Sequence, residues 1–342
     1  RHGLAEERLP QGQGEDFPYF DFAEALLPKL GGLLAKTERE IRDNRNPFDR
    51  AAADALRRKS WLEGLTKGIR LVLDSVDEDA VEWVVERQRG RGGQSVLFKP
   101  VRVASFAEPL LFGHAERVLM LSATILDAPT YLSSLGIDPA EAAFIQVPSE
   151  FPPKNRPIHL RPVARLTRHQ QARDLPKLVA EIAELFDTHP EDKGLIHAHS
   201  YRIAAYIAEN LPARHRGRLV VHQDAGERER ALELHKGSPL PTVLLTPSMT
   251  EGVDLPGDLS RWQVICKIPY PYLGDPQVAR RSALDPAWYD WRTCLTVVQA
   301  YGRSVRAADD FADTYILDAD FPAFLRRQRG RFPAWFVEAV QP

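Results

Sequence analysis

Cysteine is nearly absent from this chain, with only Cys266 and Cys294 present, far apart in sequence. Two thiols exclude a disulfide framework and a four-cysteine metal site, and they suit a reducing cytosol. One falls in an apolar, strand-like run and the other in a helical stretch, so both read as buried thiols. No run approaches the roughly 18 apolar residues of a membrane span, and no secretory leader is visible. A cytoplasmic protein that engages no membrane is therefore expected. Charge of one sign is not in excess either: 45 Lys and Arg against 47 Asp and Glu leave a net charge of −2. That excludes a uniformly basic nucleic-acid coat but leaves room for a local basic groove. Also missing are a G-x-x-x-x-G-K-[ST] loop and a D-E-A-H box. Gly31 to Thr37 (GGLLAKT) ends in Lys-Thr but lacks the second glycine and lies in a helical stretch, not after a strand. The first residue is Arg1, not Met, so a piece of a longer protein is expected.

What is present reads as two or three domains, since 342 residues with 44% apolar and 27% charged content are ordinary for a globular protein of that size. Residues 1–92 are mostly helical in pattern. Apolar spacing predicts helices over Asp21 to Lys36, from Asn46-Pro47 through Leu65, and over Asp77 to Arg89. The triplet Asp77, Glu78, Asp79 fits the first turn of that third helix better than a metal box. Arg87 to Gly93 (RQRGRGG) reads as a basic hinge. From Gln94 the texture changes to buried strands, SVLFKPVRVA and then Arg117 to Ile125 (RVLMLSATI), separated by a short helix or turn over Ala107 to Phe112. Residues 93–150 form the second segment. Phe151-Pro152-Pro153 opens an extended linker into residues 151–342, where strands and helices alternate. Strands are expected at 157–160, 194–199, 219–222, 242–246, 264–268 and 314–317. Helices are expected at 175–186, 202–211, 227–236 and 287–307. Such alternation predicts an α/β fold with a parallel sheet covered on both faces.

The last helix carries the octapeptide Gln299 to Arg306 (QAYGRSVR). On a helix, Gln299, Arg303 and Arg306 share a face, and two guanidiniums one turn apart suit an oxyanion such as phosphate. Gly302 beside them is costly in a helix interior, which points to close approach of a backbone or ligand. A surface arginine helix with salt bridges is the alternative. Ser122-Ala123-Thr124 ends a strand, where ligand-facing residues of open α/β sheets collect, or is a simple strand exit; His199-Ser200-Tyr201 and Thr246 to Asp254 (TPSMTEGVD) follow strands of the last domain and the arginine helix leads into another, so these three are expected to share one surface. Glu251, Gly252 and Asp254 set two carboxylates around a glycine, suited to a metal-bound water or to pairing with Arg303 or Arg306. Weaker features have plainer readings. His197 and His199 alternate on a strand but lack a third metal ligand. Trp288, Tyr289 and Trp291 have the spacing of core residues more than of a base-stacking platform. Arg165 to Arg173 is a phosphate-contacting patch or a solvated face.

The segments VLMLSATI, GLIHAHSYR, VLLTPSMTEGVDLPG and QAYGRSVR, in that order, resemble the late motifs of superfamily 2 helicases of the XPD/DinG type. FPPKNRPI and PAWYDW also resemble that group, and the likeness spans about residues 94–330. It implies a RecA-like motor domain with an added, mainly helical domain. Residues 1–92 would be the latter part of an arch-like insertion, 93–150 the last strands of the first RecA-like domain, and 151–342 the second. By the same resemblance Ser122, Ala123 and Thr124 couple hydrolysis to nucleic-acid movement, and Ser200, Tyr201, Arg202, Thr246 and Thr250 face a bound DNA strand. Glu251, Gly252, Asp254 and Gly302 lie at the ATP cleft, and Gln299, Arg303 and Arg306 complete the catalytic site with the arginines as fingers.

The implied activity is ATP-dependent 5′→3′ unwinding of DNA, with roles such as DNA repair, in a monomer. ATP and Mg2+ would be held mainly by a missing amino-terminal motor domain in cis, because the phosphate loop and the magnesium carboxylate are not here. This chain alone is thus expected to be inactive. No iron–sulfur cluster is expected in it, and the question stays open for the parent. The rival reading is a non-catalytic helicase-like adaptor that binds a partner through the helical part. A nuclease would need a carboxylate cluster that the sequence does not offer.

Overall fold

The computed structural model describes residues 19–44, 46, 49–76, 81–90, 93–222, 226–247 and 254–341. It divides into two units, Arg1–His114 with Gly274–Arg280 and Ala115–Leu273 with Arg281–Pro342.

In the first unit, α1 (Tyr19–Asp43) and α2 (Arg50–Val76) bury Leu30 and Leu62 together with the small residues Ala23, Ala52 and Ala55. Lys59–Glu38 at 3.1 Å and Arg58–Glu40 at 3.2 Å tie their polar flanks. The helix expected over Asp77 to Arg89 is instead strand β1 (Trp83–Gly90), paired antiparallel with β2 (Gly93–Pro100) from Trp83↔Pro100 to Gly90↔Gly93. Val84 and Val85 favour the extended form and find a partner in β2, so a tertiary contact overrides the helical spacing. The expected hinge overlaps the two strands at Arg87 to Gly90 and at Gly93, its residues 91 and 92 lying outside the described residues, and 93–100 belong to the same unit as α1 and α2. Asp77, Glu78 and Asp79 lie outside the described residues. Trp83 donates to Ser75 Oγ at 3.1 Å and packs on Phe106 of α3 (Ala104–Leu110).

The second unit opens on Arg117 to Ile125, where the expected strand does not form. Leu119 and Leu121 are 81% and 83% exposed, and among the described residues no strand pairs with this segment. A strand needs a neighbour for its backbone groups, so without one the apolar run stays open. The chain then enters α4 (Ala128–Leu135), capped by Asp127 and closed by Gly136 in the left-handed region.

A six-stranded parallel sheet follows, built from β3 (Ile158–Ala164), β4 (Gly194–His197), β5 (Leu219–Val221), β6 (Val243–Thr246), β7 (Trp262–Ile265) and β8 (Asp313–Asp318) in the order β3-β8-β7-β4-β6-β5. One face packs on α5 (Gln171–Thr188) and α6 (Tyr201–Asn210) through Phe186, Ile182, Ile196, Val264 and Leu317. The short α7 (Ala213–Arg216) and α8 (Arg228–Gly237) flank β5 and β6, and α9 (Pro276–Leu284) precedes α10 (Pro286–Tyr301). The other face packs on α10 and on the terminal helices α11 (Phe321–Arg327) and α12 (Ala334–Ala339) through Ile265, Val297, Ile316 and Phe336. The sequence reading of an α/β architecture with both sheet faces covered holds. Strand β7 starts two residues earlier than expected, because Gln263 is accommodated in the core by hydrogen bonds to Tyr301 O and Thr314 Oγ1. Trp288 and Trp291 are core residues, as their spacing implied.

Gly194 opens β4 directly over the Trp262 ring, where an added Cβ would lie 2.4 Å from Cε2. Gly194→Ala is expected to cost at least about 1–3 kcal/mol, as forced core overpacking does. A urea midpoint shift checks it, and an unchanged midpoint would mean that the indole can move aside.

Candidate functional site

Helix α10 begins with Asp285, whose carboxylate accepts from Trp288 N at 3.0 Å, and with Pro286 in the first turn. It ends at Tyr301, earlier than expected, and Gly302 N donates to Val298 O at 3.0 Å. Arg303 and Arg306 therefore lie in the turn after the helix and do not share a helical face with Gln299. Gly302 has φ −76°, and a Cβ there would meet only Val298 O, at 3.4 Å, and Gln299 O. Within the protein, then, the expected close approach at Gly302 is only its own helix's last turn.

The turn is nonetheless rigidly built. Ser304 is buried and shares a hydrogen bond of 2.7 Å with Ser260. The Asp310 carboxylate accepts from Gly257 N at 3.2 Å, Arg306 N at 3.0 Å and Phe311 N at 3.0 Å. It also takes Arg261 Nη1 at 2.7 Å. Burial pushes the Asp310 pKa up, but these donors outweigh it and hold the group below the ordinary carboxylate value.

One cavity of about 430 Å³ brings together Ala123, Thr124, Gln299, Gly302, Arg303 and Arg306. Gln299 Nε2 donates to Thr124 Oγ1 at 3.3 Å, so the first and last motif segments meet. Ser122 Oγ accepts from Thr124 N at 3.2 Å and shapes that turn. Trp291 Nε1 donates to Ile125 O at 2.9 Å and Arg331 pairs with Asp127, which together anchor the strandless segment. Arg306 Nε lies 2.5 Å from Asp254 Oδ1, the pairing that the sequence offered. Desolvation, with the charges of Arg306 and Arg228, lowers the pKa of Arg303, and Asp254 opposes the shift. Two guanidiniums, one partly desolvated, on a cavity otherwise walled by Val298, Val305 and Trp335 make a site for an anionic group. Glu251, Gly252 and Thr250 lie outside the described residues.

Ser200, Tyr201 and Thr246 do not join this cavity. The arginine turn runs from α10 into the amino end of β8, whereas His199 to Tyr201 and Thr246 lie at the carboxyl ends of β4 and β6. In a parallel sheet a helix-to-strand connection must lie at the amino edge, so the expected single shared surface splits in two. Ser200 caps α6 by accepting from Ile203 N at 3.1 Å. Tyr201 and Arg202 are exposed on its first turn, while Thr246 is buried. His199 falls outside β4 with φ 60°, so it does not continue the alternation from His197.

Sequence reasoning missed Arg156, Gln263 and Asp310. Arg156 is buried, donating to Phe151 O at 2.9 Å and Tyr301 Oη at 3.3 Å and bonding Trp335 O, so the expected extended linker is locked to the sheet unit. No local pattern marks any of the three, because their partners are distant in sequence.

Residues 182–339 match the family model described as the helicase C-terminal domain. The chain as a whole is similar to the carboxyl-terminal portion of superfamily 2 helicases of the XPD/DinG type. It is 24% identical over 323 residues to the ATP-dependent DNA helicase DinG of Photobacterium profundum, covering 87% of this chain and 46% of that protein. A probable ATP-dependent helicase of Methanocaldococcus jannaschii is 27% identical over 273 residues, covering 70% and 40% respectively. The chain thus spans less than half the length of these two relatives. The structure of S. tokodaii Xpd4 superposes with a TM-score of 0.52 at 15% identity, over 93% of this chain and 74% of that one, which shows a shared fold. That fold is the RecA-like α/β motor fold.

Removing the Asp310 carboxylate frees the turn that carries both arginines. Asp310→Ala is expected to cost on the order of 3 kcal/mol, since it leaves buried donors unmatched. The folded carboxylate titrates below its ordinary 3.8, so its contribution is complete at neutral pH and is lost as the pH falls below that value. Denaturant midpoints between pH 3 and 7 should therefore fall more steeply for wild type than for the variant, and parallel curves would refute the role.

Proposed function

We propose that this chain supplies the second motor domain of an ATP-dependent 5′→3′ DNA helicase. Residues 115–150 end the first motor domain, and the unit of α1, α2 and the β1–β2 hairpin is the arch-like insertion. One observation carries the reading: Arg303 and Arg306 line the same cavity as Thr124 and Gln299, from the two motif segments that differ most in sequence position. A first motor domain in the same polypeptide would hold ATP and Mg2+, and ATP supplies the phosphoryl group whose transfer drives movement. Arg303 and Arg306 neutralise charge developing on that group. Arg306 does so by exchanging Asp254 for it, while Asp254 keeps the guanidinium oriented beforehand. Gln299, through Thr124, links the arginine helix to the segment Ser122-Ala123-Thr124 and so ties lobe closure to the cavity. At the opposite edge of the sheet, Tyr201 offers an aromatic face and Arg202 a cation to single-stranded DNA. Ser200 holds that helix end in place, and buried Thr246 anchors the start of the neighbouring loop. The protein works as a monomer in the cytoplasm.

A non-catalytic adaptor has no chemical need for two guanidiniums on one cavity, and pairing with Asp254 limits the freedom of Arg306. In the full-length protein, Arg303→Ala is expected to lower DNA-stimulated ATP hydrolysis by about 10³–10⁵. Binding of a fluorescent single strand should stay within about twofold, because the strand-facing residues sit at the other edge. Undiminished hydrolysis would remove the finger assignment and favour the adaptor.

A further inference from the structure

Behind the arginine cavity, the sheet face under α10 carries polar groups to which the site described above gives no role. Leu195 pairs with Gln263 and His197 with Ile265, so by the alternation of strands His197 and Gln263 point to the same face on neighbouring strands. Gln263 Nε2 donates to Tyr301 O at 2.7 Å and to Thr314 Oγ1 at 2.8 Å, while its Oε1 is buried without a partner. His197 is 2% exposed, and both its ring nitrogens are buried and unpartnered, a deficit that no other histidine among the described residues shows. Among the other buried histidines, His215 and His222 each leave only Nε2 buried without a hydrogen bond, whereas two use both nitrogens. His189 bonds Asp192 and Tyr315 Oη, and His235 bonds Leu259 O and Thr242 Oγ1.

A neutral imidazole has one N–H to give and one lone pair to fill, and burying both unmet is costly. An apolar side chain of similar size would avoid that cost at this position. Burial, followed by the positive charge of Arg303, holds the His197 pKa down at about 3 against an opposing pull from Gln263, which lies near enough to act on the ring though outside hydrogen-bond geometry, so the ring is neutral at physiological pH. Gln263 Oε1, diagonal to it, is an acceptor for the ring N–H, which leaves one lone pair on the opposite ring nitrogen, and Gln263 lines the same cavity as Arg303.

We propose that His197 is a positioning residue for Arg303: its acceptor nitrogen takes a guanidinium N–H, and Gln263 Oε1 fixes the tautomer by accepting the opposite ring N–H. This rests on Arg303 being the phosphate-directed arginine. It also gives β4 a second task. The strand that seats Arg303 at His197 runs straight on to His199, in the left-handed region, and to the Ser200 cap of the strand-facing helix. A displacement at the carboxyl end of β4 is thereby felt at the arginine.

The test uses two readouts. In the chain labelled with ¹⁵N-histidine, His197 should give one neutral tautomer whose unprotonated nitrogen shifts when Arg303 is replaced by alanine. An unmoved resonance overturns the proposal. In the full-length protein, His197→Leu should lower kcat for ATP hydrolysis by about tenfold or more with KM and DNA affinity within about twofold. The rate is read where circular dichroism shows His197→Leu fully folded, since the variant leaves Gln263 Oε1 unmatched and its unfolding midpoint is expected to fall. His197→Asn or His197→Gln, each placing an oxygen near one ring nitrogen, should restore most of the rate. A purely structural histidine predicts instead full kcat in folded His197→Leu, or a loss that neither variant rescues. Arg303→Ala, run in parallel, separates the failures. An active Arg303→Ala sinks the phosphate-directed reading, whereas an inactive Arg303→Ala with a fully active His197→Leu sinks only the positioning role.

Discussion

Helix α10 stops at Tyr301, and the chain must then pass through a short turn into β8, a strand buried on both faces. Such a turn would ordinarily sample many conformations, and the arginines on it would sample them too. The Asp310 carboxylate removes that freedom by collecting three backbone N–H groups and the Arg261 guanidinium. Because Gly257 is among its donors, the same carboxylate fixes the loop that carries Asp254, and hence the partner of Arg306. The buried contact between Ser304 and Ser260 repeats the link from the other side. Two segments that carry charge are thus held as one body before any ligand arrives, and preorganisation of that kind is what makes electrostatic stabilisation effective.

Much of the sheet unit was legible in the sequence because its strands are short apolar runs between turn formers and its helices are strongly amphipathic. The α/β architecture follows from alternation alone. The errors fall where a distant partner decides the local conformation. Val84 and Val85 sit in a stretch of helical spacing but pair with a second strand, so β1 was read as a helix. Leu119 and Leu121 read as a strand, yet a strand needs a neighbour that the described residues do not provide. The extent of α10 was overestimated because nothing in the sequence separates Tyr301 from Arg303 except a single glycine. Among site residues, Gln299, Arg303 and Thr124 were identifiable from motif order, and the structure brings them to one cavity. Asp310 and Arg156 were not, because a carboxylate that gathers backbone donors leaves no periodic trace.

The division between the two sheet edges has a mechanical meaning. The arginine turn lies at the amino end of β8 and helix α6 at the carboxyl end of β4, so any signal between them must cross the sheet. Parallel strands with close-packed faces transmit displacement poorly by bending and better as rigid rods. Of the strands, β4 is the central one, flanked by β7 and β6, and it is short enough to act as such a rod. Its carboxyl end combines an unmet buried imidazole with a backbone turn at positive φ two residues later. Costly features concentrated at one strand end are a poor choice for stability alone, since an apolar residue and a relaxed turn would serve it better. They fit a strand whose end is held for more than stability, and β4 is where the two edges of the sheet come nearest to a common support.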